Sequence, residues 1–259
     1  MRRLWAIFLV LVGLGVIGFL LMRGAERPPV AGEKAGETKD TALVKRLLRE
    51  GLSSREFQFP EVVEAVSGKR VIPLREAKAG PRVLEALKAV LPKLLEEMNR
   101  ESSPLQGLRR INEGSRFFED GLLRGLNEME GLRCEIPRTR GGKEQRVGYP
   151  DLKLTDQATG EIFYLDPKLM EAGSVGSSLR TFYFEPKDET LKITDDAVHL
   201  LVGIEHDGVD GQWKFQGWRV VDLSGLSVRL KAEFQASNRE LYHEGAAVIQ
   251  GGAVKGRDE

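Results

Sequence analysis

Residues 148–169 read GYPDLKLTDQATGEIFYLDPKL, two short apolar runs joined by a polar turn. Pro150-Asp151 follows Val147-Gly148-Tyr149 in a β-prone run from Arg146 to Leu154. Asp166-Pro167-Lys168 closes a second run, Ile162-Phe163-Tyr164-Leu165. Asp156-Gln157-Ala158-Thr159-Gly160 between them has turn composition, so the two runs are expected to be neighbouring strands. Side chains alternate along a strand, which puts Asp166 and Lys168 on one face, one pleat apart. Two carboxylates and an ammonium delivered from adjacent strands can hold a hard divalent cation and activate a water beside a phosphate.

Outward from this hairpin the texture divides. On the N-terminal side the periodicity predicts helices over 41–57, 81–99 and 112–130. In the second, Val83, Leu84, Leu87, Val90, Leu91, Leu94, Leu95 and Met98 form one stripe; in the third, Phe118, Leu122, Leu123, Leu126 and Met129 do. On the C-terminal side come short β-prone runs at 198–205 and 214–222, preceded by one at 132–137. From Ser227 to Gln235 apolar and polar residues alternate strictly, the pattern of a half-buried strand. Helices and then strands imply an α/β or α+β sandwich, with helices covering a central sheet.

At the other end, Leu4 to Met22 carries no charge, and nineteen apolar residues are enough to span a bilayer as a helix. Arg2 and Arg3 in front of it point to an N-inside signal-anchor, which would leave the rest of the chain extracytoplasmic. The expected organisation is a transmembrane anchor at 1–23, a Gly-, Pro- and charge-rich linker at 24–40 and a helical preface at 41–100. A main domain at 101–243 and a Gly-rich tail at 244–259 complete it. The 259 residues hold 39 basic and 39 acidic side chains, so no global basic field announces a nucleic-acid partner. Cys134 is the single cysteine, which excludes an internal disulfide and any Cys-based zinc cluster. No glycine-rich phosphate loop, nucleophile elbow or HExxH motif is present.

The residues Phe117-Phe118-Glu119-Asp120, Gly148-Tyr149-Pro150-Asp151 and Phe163-Tyr164-Leu165-Asp166-Pro167-Lys168-Leu169, followed by the strand-like Ala197 to Ile204, resemble the PD-(D/E)xK or restriction-endonuclease-like nuclease superfamily. The likeness covers about residues 110 to 240 and implies an α/β fold with a central mixed sheet flanked by helices. It implies a metal-dependent endonuclease hydrolysing DNA, with RNA as the other possible substrate, using Mg2+ or Mn2+. Asp151, Asp166 and Glu119 would bind the metal, Glu119 coming from the helix before the first strand, and Lys168 would handle the water or the transition-state charge. Expected partners are therefore the nucleic acid, the bilayer through residues 4–22, and a second copy in a homodimer. The competing reading keeps the fold without catalysis, as a nucleic-acid-binding or assembly module at the membrane.

Outside the motif, Arg180 and Asn238 are candidate nucleic-acid contacts, from a guanidinium amid aromatics and an amide near the C-terminus. Phe182 and Phe184 read as core on periodicity. His199, inside an apolar run, reads as a hydrogen-bonded core histidine.

Overall fold

The structure, a computed structural model, describes residues 39–174, 176–177, 182–231 and 236–241. The anchor expected at 1–23, the tail at 244–259 and Arg180 lie outside the described residues. Among those described, no helix is long and apolar enough to cross a membrane. The chain divides into two units, one up to Gly51 and one from Leu52 onward. The first contributes helix α1 (Lys39–Arg49), none of whose residues is buried. It stops eight residues short of the end expected for the helix over 41–57; a 3-10 turn (Leu52–Ser54) and a strand from Glu56 take the remaining stretch.

In the second unit the elements follow as β1 (Glu56–Gln58), α2 (Phe59–Ser67), α3 (Gly80–Met98) and α4 (Ser115–Asn127). Then come β2 (Leu132–Glu135), β3 (Leu152–Asp156), β4 (Ile162–Glu171), β5 (Val198–His206), β6 (Phe215–Asp222), β7 (Ser227–Arg229) and α5 (Asn238–Leu241). Strands β2-β3-β4-β5-β6 form one mixed sheet, antiparallel throughout except that β4 and β5 run parallel. β1 and β7 pair separately as a two-stranded antiparallel ribbon.

Alternation sorts the sheet residues into two cores. Leu152, Leu154, Phe163, Leu165, Val198, Leu200, Val202 and Ile204 pack with the apolar stripes of α3 and α4. The stripes work as read: Val83, Leu87, Leu91 and Leu94 of α3 and Phe118, Leu122 and Leu126 of α4 are buried. Tyr164 and Leu201 face the opposite way, toward Phe59 and Val63 of α2 and the loop residues Leu191 and Ile193. The sheet is thus covered on both sides, which fits β5 reading as a near-continuous apolar run. Residues 59–98, expected within a helical preface, belong to these same cores.

One expectation fails locally. Residues 146–151 form a loop, and Val147 is 73% exposed. The strand starts only at Leu152 because Pro150, which lacks an N–H, sits just before it, where no ladder bond is required. Helix α2 falls within the expected helical preface but had no separate reading; the three valines among its nine residues favour helix only weakly. Burial of Phe59 and Val63 outweighs that weakness.

Candidate active site

β3 and β4 are joined by a turn that Asp156 organises. Its Oδ1 accepts from the amides of Ala158 (3.1 Å) and Thr159 (2.8 Å) and from Thr159 Oγ1 (2.9 Å). Arg82 of α3 pairs with its other oxygen at 2.7 Å. Gly160, at φ +73°, completes the reversal in a conformation that side chains disfavour. The resulting register sets Leu152 opposite Leu165. Carried one residue further, that register puts Asp151 opposite Asp166, the position at which side chains of an antiparallel pair stand together. Lys168 follows on the same face of β4, its Nζ 2.7 Å from Asp166 Oδ2 and 3.6 Å from Asp151 Oδ2.

Burial then shapes the charge. Asp166 is 2% exposed. Desolvation lifts Asp151 to about 7, the Asp166 charge and a hydrogen bond between the two carboxyls add to the rise, and Lys168 opposes it. Burial lowers Lys168, but the two acids outweigh it and raise its pKa overall. The ammonium therefore stays charged, and Asp151 takes up its proton near neutrality.

The third acid stands apart. Glu119, on α4, is occupied by Arg146, whose Nη1 donates to Glu119 Oε2 at 3.0 Å while Nη2 donates to Asp120 Oδ1 at 2.5 Å. Its pKa is raised by burial and then by the charge of Asp151. Glu119 thus lies within electrostatic reach of the pair while its carboxylate is turned to a guanidinium. Asn238 opens α5 and is exposed.

The profile of the type II restriction enzyme MjaV family matches residues 52–245. The chain belongs to that family. A relative from Methanocaldococcus jannaschii, described as "Type II restriction enzyme MjaV", is 28% identical over 219 residues, 80% of this chain and 94% of the relative. The span matched to the MjaV family contains all five strands of the mixed sheet together with Glu119, Asp151, Asp166 and Lys168. It excludes the apolar run at 4–22.

The donors of this MjaV-family chain suit a hard divalent ion. Asp166 Oδ2 has the Lys168 ammonium beside it but no aligned hydrogen bond, so a buried carboxylate oxygen keeps unspent acceptor capacity. Among the described residues no three His, Cys, Asp or Glu side chains form a ready cage. Magnesium does not need one, because it keeps several waters and takes one or two carboxylates plus substrate oxygen. Asp151 and Asp166 fit that requirement; Glu119 would have to leave Arg146 to join them.

Beneath the pair lies an aromatic layer. Tyr149 stacks on His199, and its hydroxyl is 2.7 Å from His199 Nδ1. Phe59, Phe182 and Phe184 pack edge-on against Tyr149. His199 is fully buried, as read, and desolvation holds its pKa down at about 3. Burial, and then the charges of Asp166 and Asp151, raise the pKa of the Tyr149 hydroxyl, so this layer lies within electrostatic reach of the pair.

Sequence reasoning missed Lys192. Flanked by Leu191 and Ile193, it reads as a solvated lysine in a loop, yet it is 0% exposed. Its surroundings push it down to about 8 by burial, against the opposing pull of Asp151, Glu119 and Asp166. No local signal identifies such a residue, because lysine is almost never buried without partners and these partners are distant in sequence.

Proposed function

We propose that this protein is a DNA endonuclease of the PD-(D/E)xK type, dependent on Mg2+ or Mn2+, and held at a membrane by residues 4–22. One observation carries the reading. In a chain of a restriction-enzyme family, Asp151 sits opposite Asp166 with the Lys168 ammonium 2.7 Å from the latter. The relative's description as a type II restriction enzyme supports DNA as the substrate. The uncharged run at 4–22 supports the tether.

In this reading Asp151 and Asp166 hold the ion, which supplies Lewis acidity toward a phosphate oxygen and a water of lowered pKa. Lys168 places a permanent positive charge where negative charge accumulates as water adds to phosphorus and an ester P–O bond breaks. The buried aromatic layer lowers the effective dielectric around these groups, so each charge acts more strongly than it would in water. Glu119 is an auxiliary acid, available to the ion once Arg146 releases it.

The test uses the purified full-length chain, supercoiled plasmid and long linear DNA of varied sequence, with Mg2+ or Mn2+, and RNA in parallel. Discrete or random double-strand cutting is expected. Asp166→Asn and Lys168→Ala, each with wild-type circular dichroism, should lose at least about a hundredfold in rate. DNA binding without any cleavage across metals and pH would replace this reading with that of a non-catalytic binding module.

A further inference from the structure

Lys192 is placed with care that a packing role does not explain. Leu191 and Ile193 on either side of it are buried in the second core, and the Leu191 carbonyl accepts from the Arg140 amide at 2.9 Å. Three residues on, Asp195 Oδ2 accepts from Lys153 Nζ (2.7 Å), Tyr164 Oη (2.8 Å) and Thr194 Oγ1 (2.9 Å), tying the segment to β3 and β4. Thr190 abuts Gly148, which holds φ +87° and where a Cβ would meet the Thr190 carbonyl oxygen at 3.2 Å. The loop carrying Lys192 is therefore pinned to the loop carrying Asp151.

What the ammonium meets there is sparse. Nζ makes two long contacts, 3.4 Å each, to the carbonyl oxygens of Gln145 and Arg146. No carboxylate hydrogen-bonds it directly, although Asp151, Glu119 and Asp166 all act on it electrostatically. A wholly buried charge without a salt-bridge partner is expensive unless the field around it is negative.

Resting on the functional reading above, we propose that Lys192, on the loop pinned to that of Asp151, supplies the positive charge that a second metal ion would otherwise bring, so that the centre takes one divalent cation. The charges argue for this. With Asp151 ionised, as a bound ion requires, Asp151, Asp166 and Glu119 set three negative charges against Lys168, paired with the two aspartates, and Lys192, within electrostatic reach of all three; Arg146 and Asp120 offset each other, leaving one surplus negative charge. One divalent ion turns that into one surplus positive charge, which the single negative charge of a phosphodiester neutralises. A second ion would leave the buried centre strongly positive even with substrate bound.

Calorimetric titration of the metal-free chain with MnCl2 at neutral pH tests the proposal without reference to turnover. One ion per wild-type chain is expected, lost in Asp166→Asn. Lys192→Met keeps the length and removes the repelling charge. It should bind the ion at least about threefold more tightly or admit a second one. Lys192→Arg should stay within about twofold of wild type, since it keeps the charge. A residue that merely packs would change the melting temperature and leave the affinity alone. Two ions per wild-type chain, or a Lys192→Met variant that binds no more tightly, would overturn the proposal. Should that variant not fold, Lys192→Gln, which also removes the charge, takes its place under the same criterion. A wild type that binds no ion would overturn the functional reading as well, whereas one ion with an unresponsive Lys192→Met overturns only the role given to Lys192.

Discussion

The carboxyl of Asp151 is the group whose state matters most at the scale of single residues. Its pKa is raised in the folded chain, to about 7, so between about pH 4 and neutrality the folded state holds a proton that the unfolded chain has released. Stability contributed by that proton is lost as pH rises through the window, and above it the buried charge weighs on the fold in full. Asp151→Asn should consequently raise the melting temperature of the metal-free protein on the alkaline side of neutrality, by about 2–4 °C for each kcal/mol relieved. The difference from wild type should vanish near pH 4, and thermal scans across pH with a chelator present would check it. Since an ion needs the carboxylate ionised, cutting should fall as pH drops below neutrality, with saturating metal moving that limb to lower pH. An acidic limb that is unmoved by metal concentration would argue against Asp151 as a ligand.

At the scale of elements, the site depends on contacts that hold α3 and the β3–β4 hairpin together. Glu161, one residue before β4, accepts from the amides of Lys78 (3.0 Å) and Ala79 (2.7 Å) just ahead of α3, satisfying donors that no helical carbonyl reaches. Glu161→Ala should therefore cost about 1 kcal/mol in urea unfolding, in the range of other lost caps. Phe118, fully buried on α4 with its ring centroid 4.8 Å from that of Phe215, lies deeper. Truncating it to Ala should cost about 3–5 kcal/mol. Helices α3 and α4 and strands β4, β5 and β6 were legible because their periods are sustained over eight or more residues. α2 and β1 were not, because three to nine residues carry too little pattern and their state is set by what they pack against, whereas β7 opens the alternating run that starts at Ser227.

For the whole molecule, the apolar run at 4–22 lies outside the family match, and the compact unit begins at Leu52. Deleting residues 4–22 should move the protein from the membrane to the soluble fraction and leave the rate of DNA cutting in solution within about twofold, because no catalytic group comes from that stretch. Fractionation with a cutting assay on both pools would check it; a soluble, inactive deletion would mean the run does more than tether. The zero net charge, which offered no sign of a nucleic-acid partner, is compatible with an endonuclease because binding follows the local field at the site. By itself the sequence determined the sheet-forming runs, the packed stripes of α3 and α4, and the meeting of Asp151, Asp166 and Lys168. All of these follow from short-range rules of alternation, periodicity and turn chemistry. Only the tertiary structure decided that Arg146 occupies Glu119, that Asp151 holds its proton to neutrality and that Lys192 lies buried beside the acids. Those facts depend on which loops are brought together and how much water they exclude, and residues adjacent in the chain carry no record of either.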